Sequence, residues 1–204
     1  MRSSPWILAL ALPLCLAASA VSGGEKSGVN DEGFVQRWLV LAPIPLKENE
    51  DGASGIAREQ IKGEAMLKPK AGEKVKVDGK DLVWKAHTCP DHLLDFNAIL
   101  NGQTEDSVAY AVTFITAPTD LKDIKMKTGS DDQCKVYLNG KEVLKVAEAR
   151  AADKDQDTTN VSLRKGVNVM VVKVVNEKID WSFCVRFTDQ NDKPLTNLKA
   201  KTTE

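Results

Sequence analysis

GSDDQCKVYLNGKEVLKV, Gly129–Val146, decides the fold. From Cys134 onward apolar residues recur at every second position, Cys134, Val136 and Leu138, which is the period of a β-strand with one face in a core. Asn139-Gly140 follows, the dipeptide that accepts the positive φ angles of a two-residue type I′ turn. Lys141–Val146 then alternates again. The stretch is a β-hairpin, and it opens with two adjacent carboxylates, Asp131 and Asp132. Those carboxylates either belong to a binding site or cap the start of the hairpin.

The same grammar extends in both directions. Residues 34–42, FVQRWLVLA, are β-rich and reach Pro43 and Pro45, which read as a strand leaving its sheet. Residues 73–77 and 81–85 flank Asp78-Gly79, a second type I′ signal. Ser107–Ala117 is a long strand bounded by Pro118, and Leu121–Thr128 alternates imperfectly. Thr158–Leu163 is a strand, Lys165-Gly166 a turn, and Trp181–Thr188 a last strand. Val167–Val175 is almost wholly apolar, as expected of a central strand covered on both faces. One short helix fits between residues 56 and 67, with Ile61 and Ala65 on one face. The expected architecture is therefore all-β, an antiparallel β-sandwich or jelly roll. Residues 34–195 form its single domain, behind a flexible lead-in at 21–33 and ahead of a fraying polar tail at 196–204.

The totals narrow the function. The 204 residues are 42% hydrophobic, enough for one sizeable core, and the formal net charge is −1. Lysines interleave with acids, so there is no basic face for nucleic acid. Arg2, the apolar run Trp6–Ala18 and Ala18-Ser19-Ala20 make a secretory signal peptide at residues 1–20, cleaved after Ala20. The competing reading, a lipid-modified Cys15, suffers from Leu14 where lipoprotein signals place a small residue. No later segment is apolar enough to span a bilayer. The expected localisation is secreted or periplasmic. Cys89, Cys134 and Cys184 remain after cleavage, an odd number, so this is no disulfide scaffold. Cys134 reads as core-facing and Cys184 as outward-facing, which separates them.

Candidate chemistry is sparse. No G-x-S-x-G is present, and His87 and His92 are the two histidines, so a catalytic triad has little to draw on. His87, Cys89 and His92 in HTCPDH supply the ligand types of a transition metal, with Asp91 or Asp95 as a fourth ligand. The simpler reading is a loop with incidental histidines. Asp153, Asp155 and Asp157 alternate along one loop, as calcium ligands do, although Thr158 stands where an EF-hand needs Gly. Counting strand directions from Cys134 brings that loop back to the end of the sandwich that holds Asp131 and Asp132. Asn176, Asp180 and Trp181 arrive there too, with Ser130 and Arg150 close by. The rim is thus a candidate ligand site built on Asp131, Asp132, Arg150, Asn176 and Trp181. Its candidate calcium ligands are Asp131, Asp132, Asp153, Asp155 and Asp157. The rival reading is structural: aspartates that cap turns and pair with Arg150 or Lys173.

A resemblance points the same way. GSDDQCKVYLNGKEV, then Arg150, DQDT, VSLRKGVNVMVVKVVNE and DWSFCVRFTD, resembles the galactose-binding-like jelly rolls of secreted bacterial proteins. FVQRWLVLAPIP is similar to that module's first strand. The anthrax-protective-antigen type of sugar-binding module has a more distantly similar SDDG…NGK hairpin, in which Gly stands where this chain has Gln133. The resemblance implies a non-catalytic β-sandwich that binds carbohydrate or cell-envelope glycan, with calcium as an optional helper and no other cofactor. The alternative is a structural module of the envelope with a secreted protein partner and no small ligand.

Overall fold

The computed structural model describes residues 27–204. The signal peptide and residues 21–26 of the lead-in lie outside the described residues. In chain order the elements are β1 (Arg37–Pro45), helix α1 (Gly52–Ala57), a single 3-10 turn (Glu64–Met66), β2 (Lys74–Val77), β3 (Lys80–Val83), β4 (Lys85–Thr88), β5 (Leu94–Asp95) and helix α2 (Phe96–Leu100). There follow β6 (Ser107–Ala117), β7 (Leu121–Asp131), β8 (Cys134–Leu138), β9 (Lys141–Val146), β10 (Asp157–Leu163), β11 (Gly166–Asn176), β12 (Ser182–Thr188) and β13 (Lys199–Lys201). The larger sheet runs β4-β1-β6-β11-β8-β9, with β13 on the end of β6 that β1 leaves free. The smaller sheet runs β10-β7-β12-β5, and β2 and β3 form a separate hairpin.

Period-two alternation explains which side chains meet. On β6, Ala109, Ala111 and Ile115 face the smaller sheet, together with Met170, Val172 and Val174 of β11. They pack on Met126, Phe183, Val185 and Phe187, and this is the core of the sandwich. The alternate residues Tyr110, Val112, Phe114, Val171 and Val175 face the other way and are buried as well. Their cover is a third layer, residues 46–84, which sets Ile56, Ile61, Val77 and Trp84 over the outer face of the larger sheet. Each such side chain contributes roughly 1.5–3 kcal/mol when fully buried. The two-sided burial is why β11 reads as continuous valine.

The all-β antiparallel sandwich is observed. The type I′ turns are present too, with Asp78 and Asn139 at φ 47° and 52° and Gly79 and Gly140 at 81° and 82°. Several finer expectations are corrected. The helix expected within 56–67 lies earlier, at Gly52–Ala57, because the Asp51 carboxylate caps the Ser54 N–H at 2.7 Å. A second short helix, α2, is capped in the same way by Asp95. β1 does not leave its sheet at the prolines but continues to Pro45 through a register shift between Leu41 and Ile44. The described part of the lead-in is tied down: Val29 is buried and bridges Val35, and Gly28 accepts from the Gln36 N–H. The tail does not fray at 196–201, where Leu198 and Ala200 are fully buried and β13 pairs with β6. Both corrections have one cause, free backbone donors on β6 and β12 that these segments satisfy. Cys184 points away from the sandwich core, as expected, yet is buried, because the segment around Asp153 lies over it.

Candidate functional site

Sheet register assembles the site. Asp131 on β7 lies opposite Ser182 on β12, and Ser182 lies opposite Asp95 on β5. Directly opposed residues share a face. The next row, Ser130–Phe183–Leu94, sends Phe183 and Leu94 into the core, so the acidic row points outward. Asp180 and Trp181 precede β12, Asn97 follows Asp95, and Ala151 and Ala152 close one side. Together they enclose a cavity of about 260 Å³.

Asp131 is the chemically distinct group there. Burial raises its carboxyl to about 6, the neighbouring charges of Asp132 and Asp180 push it the same way, and the Ala152 N–H draws it down. Asp95 Oδ1 accepts from the Ala98 N–H at 3.0 Å. Asn97 Nδ2 donates to the Ile179 carbonyl at 2.7 Å, and its Oδ1 accepts from the Thr104 N–H at 3.3 Å. Trp181 is buried, with its ring 4.9 Å from that of Phe96, and its indole N–H has no hydrogen-bond partner. It therefore offers no exposed stacking face.

The other rim residues divide. Asp132, joined to Asp131 by a cis peptide bond, accepts from the Glu177 N–H at 2.8 Å and caps the turn after β11. Burial raises its carboxyl, against the pull of backbone N–H groups at Glu177, Arg150 and Lys178. Arg150 binds Asp157 through both terminal nitrogens, at 3.2 and 2.5 Å, and reaches Ser130 Oγ at 3.1 Å. Asn176 donates to the Thr104 carbonyl at 2.5 Å from a fully buried position. Neither Asp132, Arg150 nor Asn176 lines the cavity. Gln133 reaches Glu177 at 3.0 Å; Glu177 also takes the Gly52 N–H, linking the rim to the third layer.

The five candidate calcium ligands do not converge. Asp155 lies over the outer face of the smaller sheet and pairs with Arg186 and Lys127, which are opposite one another in register. The Arg186 guanidinium and Lys127 hold its carboxyl below the usual range against burial. Asp157 is held by Arg150 and Thr128, and Asp153 caps the Lys154 N–H. His87, Cys89 and His92 do not form a cluster either. The Cys89 thiol is buried and pushed up to about 12, His92 sits against Asp91 and the Phe34 ring, and burial lowers His87. Among the described residues no three His, Cys, Asp or Glu side chains are placed to hold a metal ion.

A second polar site went unforeseen. Glu64, from the 3-10 turn, is buried over the outer face of the larger sheet. It accepts from the Tyr110 hydroxyl, from the Tyr137 hydroxyl at 2.6 Å and from Lys173 Nζ at 3.3 Å, with Lys135 Nζ 3.7 Å away. Lys173 is fully buried and also donates to the Ile56 and Arg58 carbonyls. Burial lowers its ammonium to about 8, against the upward pull of Glu64. Lys173 therefore pairs with Glu64 and not with the rim aspartates. The one sequence signal was a lysine in the middle of a valine strand. No family model matches this chain, and no curated protein matches it.

Proposed function

We propose that the chain is a secreted or periplasmic, non-catalytic module of the galactose-binding-like kind, which binds a glycan or envelope sugar in the cavity of Asp95, Ser182 and Asp131. The observation that carries this reading is the convergence of the Asp95, Asp131 and Asp180 carboxylates and the Asn97 amide on one small cleft. Carboxylates accept from adjacent sugar hydroxyls, and the buried indole N–H of Trp181 is an unspent donor in the same lining. About 260 Å³ lies just below the usual range of drug-sized ligand clefts, which suits a single small sugar unit. With no exposed aromatic face, the ligand is gripped edge-on through hydrogen bonds. A glycan array, followed by melting curves with calcium and with chelator, tests the reading. Binding that Asp131→Asn abolishes supports it; no glycan signal together with no calcium-dependent shift sinks it.

A second reading is an envelope protein-interaction module without a small ligand. It is favoured by Ile179, 65% exposed beside the cavity and held at φ 68°, an unusual conformation for a β-branched residue. Pulldown from an envelope fraction with wild type and Ile179→Asp separates the two: this reading requires the partner to be lost while glycan binding stays absent.

A further inference from the structure

The cleft over Ser182 is one-sided in charge. Asp131 is its buried carboxylate, 8% exposed, and Asp95 and Asp180 stand exposed in the same lining. Among the described residues no Lys, Arg or His lines it. None of the three carboxylates takes part in an ion pair among the described residues, whereas Asp155 and Asp157 are neutralised by Arg186 and Arg150. The acidic cleft is therefore the place where negative charge gathers without an internal counter-charge.

The hydrogen-bonding groups are one-sided as well. The Asn97 amide is already bonded to the Ile179 carbonyl and the Thr104 N–H, and Asp95 gives Oδ1 to the Ala98 N–H. The lining leaves over mainly acceptors, the carboxylate oxygens. Against them stands the Trp181 indole N–H, from a side chain 1% exposed and with no acceptor of its own. A neutral ligand would cover a buried carboxylate without compensating it, which is costly. A bare metal ion does not fit the spacing: no three described His, Cys, Asp or Glu side chains are placed to hold one, and calcium needs its oxygens at about 2.3–2.6 Å. A primary ammonium is a larger cation. It brings three N–H donors, each meeting a carboxylate oxygen at about 2.7–2.9 Å. We infer that the cleft selects a cationic sugar, a single amino-sugar unit with its amine free, whose ammonium pairs with Asp131 while its hydroxyls face Ser182 and the Trp181 indole. This rests on the sugar-binding reading above and adds the charge of the ligand to it.

Calorimetric titration tests it, with glucosamine and galactosamine set against their N-acetylated and 2-hydroxyl counterparts, which keep the ring and lose the charge. The amino sugars are expected to bind about tenfold more tightly or better. Asp131→Asn should bring them down to the level of the neutral sugars. Asp180→Asn, at an exposed position that does not threaten folding, should weaken them by about three- to tenfold. Ethylamine measures the charge without the ring and should bind more weakly than either amino sugar. Neutral sugars binding as well as the amino sugars overturn the inference and leave the sugar reading standing. A chain that binds none of these sugars overturns it too, and the sugar reading then stands or falls on the glycan array. Ethylamine binding as tightly as glucosamine, or amino-sugar binding indifferent to both variants, likewise overturns it.

Discussion

Glu64 and Asp131 are both buried carboxylates on the outer face of a sheet, and they differ in what surrounds them. Glu64 has two tyrosine hydroxyls and two ammonium groups around its oxygens. Asp131 has an N–H from Ala152, two repelling carboxylates and an open cleft. A carboxylate surrounded by donors locks one layer to another. A carboxylate left short of donors at a cleft has capacity for a ligand. Burial alone does not separate the two cases; donor supply does.

Breaking the closed site should have the largest effect. Glu64→Gln leaves Lys173 and Lys135 buried without a counter-charge and should cost about 3–5 kcal/mol in urea unfolding. The double variant Glu64→Leu/Lys173→Met should recover much of that loss. The pH dependence of the Lys173 contribution has a definite sign. Between about pH 8 and 10 the folded chain has released the Lys173 proton while the unfolded chain still holds one, so this group's contribution to stability rises with pH, against the opposite trend of the buried Cys89, Cys134 and Cys184 thiols, which stay protonated in the fold. Above about 10 the Tyr110 and Tyr137 hydroxyls, held protonated in the fold by burial, add to the downward trend. The Lys173 contribution is read as the difference between wild type and Lys173→Met, which should move in favour of wild type as pH rises over that range. A difference between the two proteins that is flat from about pH 8 to 10 would contradict the lowered lysine.

Next in size is the wall of the open site. A Cβ on Gly129 would run into the Asp153 carbonyl, so Gly129→Ala must lift the segment that covers Cys184 and continues to Ala151 and Ala152. The expected cost is about 1–3 kcal/mol. Cys184, whose thiol burial pushes up to about 11, should become labelled by a thiol reagent in the folded state. Labelling no faster than wild type would mean that the segment does not depend on Gly129.

The open carboxylate itself should show in the acid limb. The raised Asp131 group favours the folded state increasingly as pH falls from about 6 towards 4, because the native carboxyl takes up its proton first. Asp131→Asn should remove that component, and a stability difference between the two proteins that is flat from pH 4 to 6 would sink the assignment. The smallest effect belongs to Ile179→Gly. Releasing a left-handed isoleucine should stabilise the fold by about 0.5–1 kcal/mol in thermal melts, and a clear loss of stability would show that the isoleucine side chain contributes more than its backbone costs.

Local chemistry made the hairpins legible, since Asp78-Gly79 and Asn139-Gly140 need no distant residue to favour positive φ. Strand direction correctly delivered Asp131, Asp180 and Trp181 to one end. It could not reveal Asp95, which enters the row through a two-residue strand too short to show a period. It also misplaced Asp155, whose partner Arg186 is 31 positions away. The calcium pattern of alternate aspartates was in fact three separate attachments to Arg186, Arg150 and the Lys154 backbone.

The alternation of side chains, the turn dipeptides and the doubly apolar β11 were determined by the sequence alone, because each follows from the φ, ψ and period of a few adjacent residues. Which carboxylates became structural and which stayed open was decided by tertiary structure. Lys173 and Glu64 are 109 positions apart, and Asp131 meets Asp95 only through β12. The charge state of a buried acid depends on donors within hydrogen-bond reach, and distance along the chain carries no record of them. So the paired aspartates at the head of the hairpin have separate fates: Asp132 caps the turn at Glu177, and Asp131 faces the cleft.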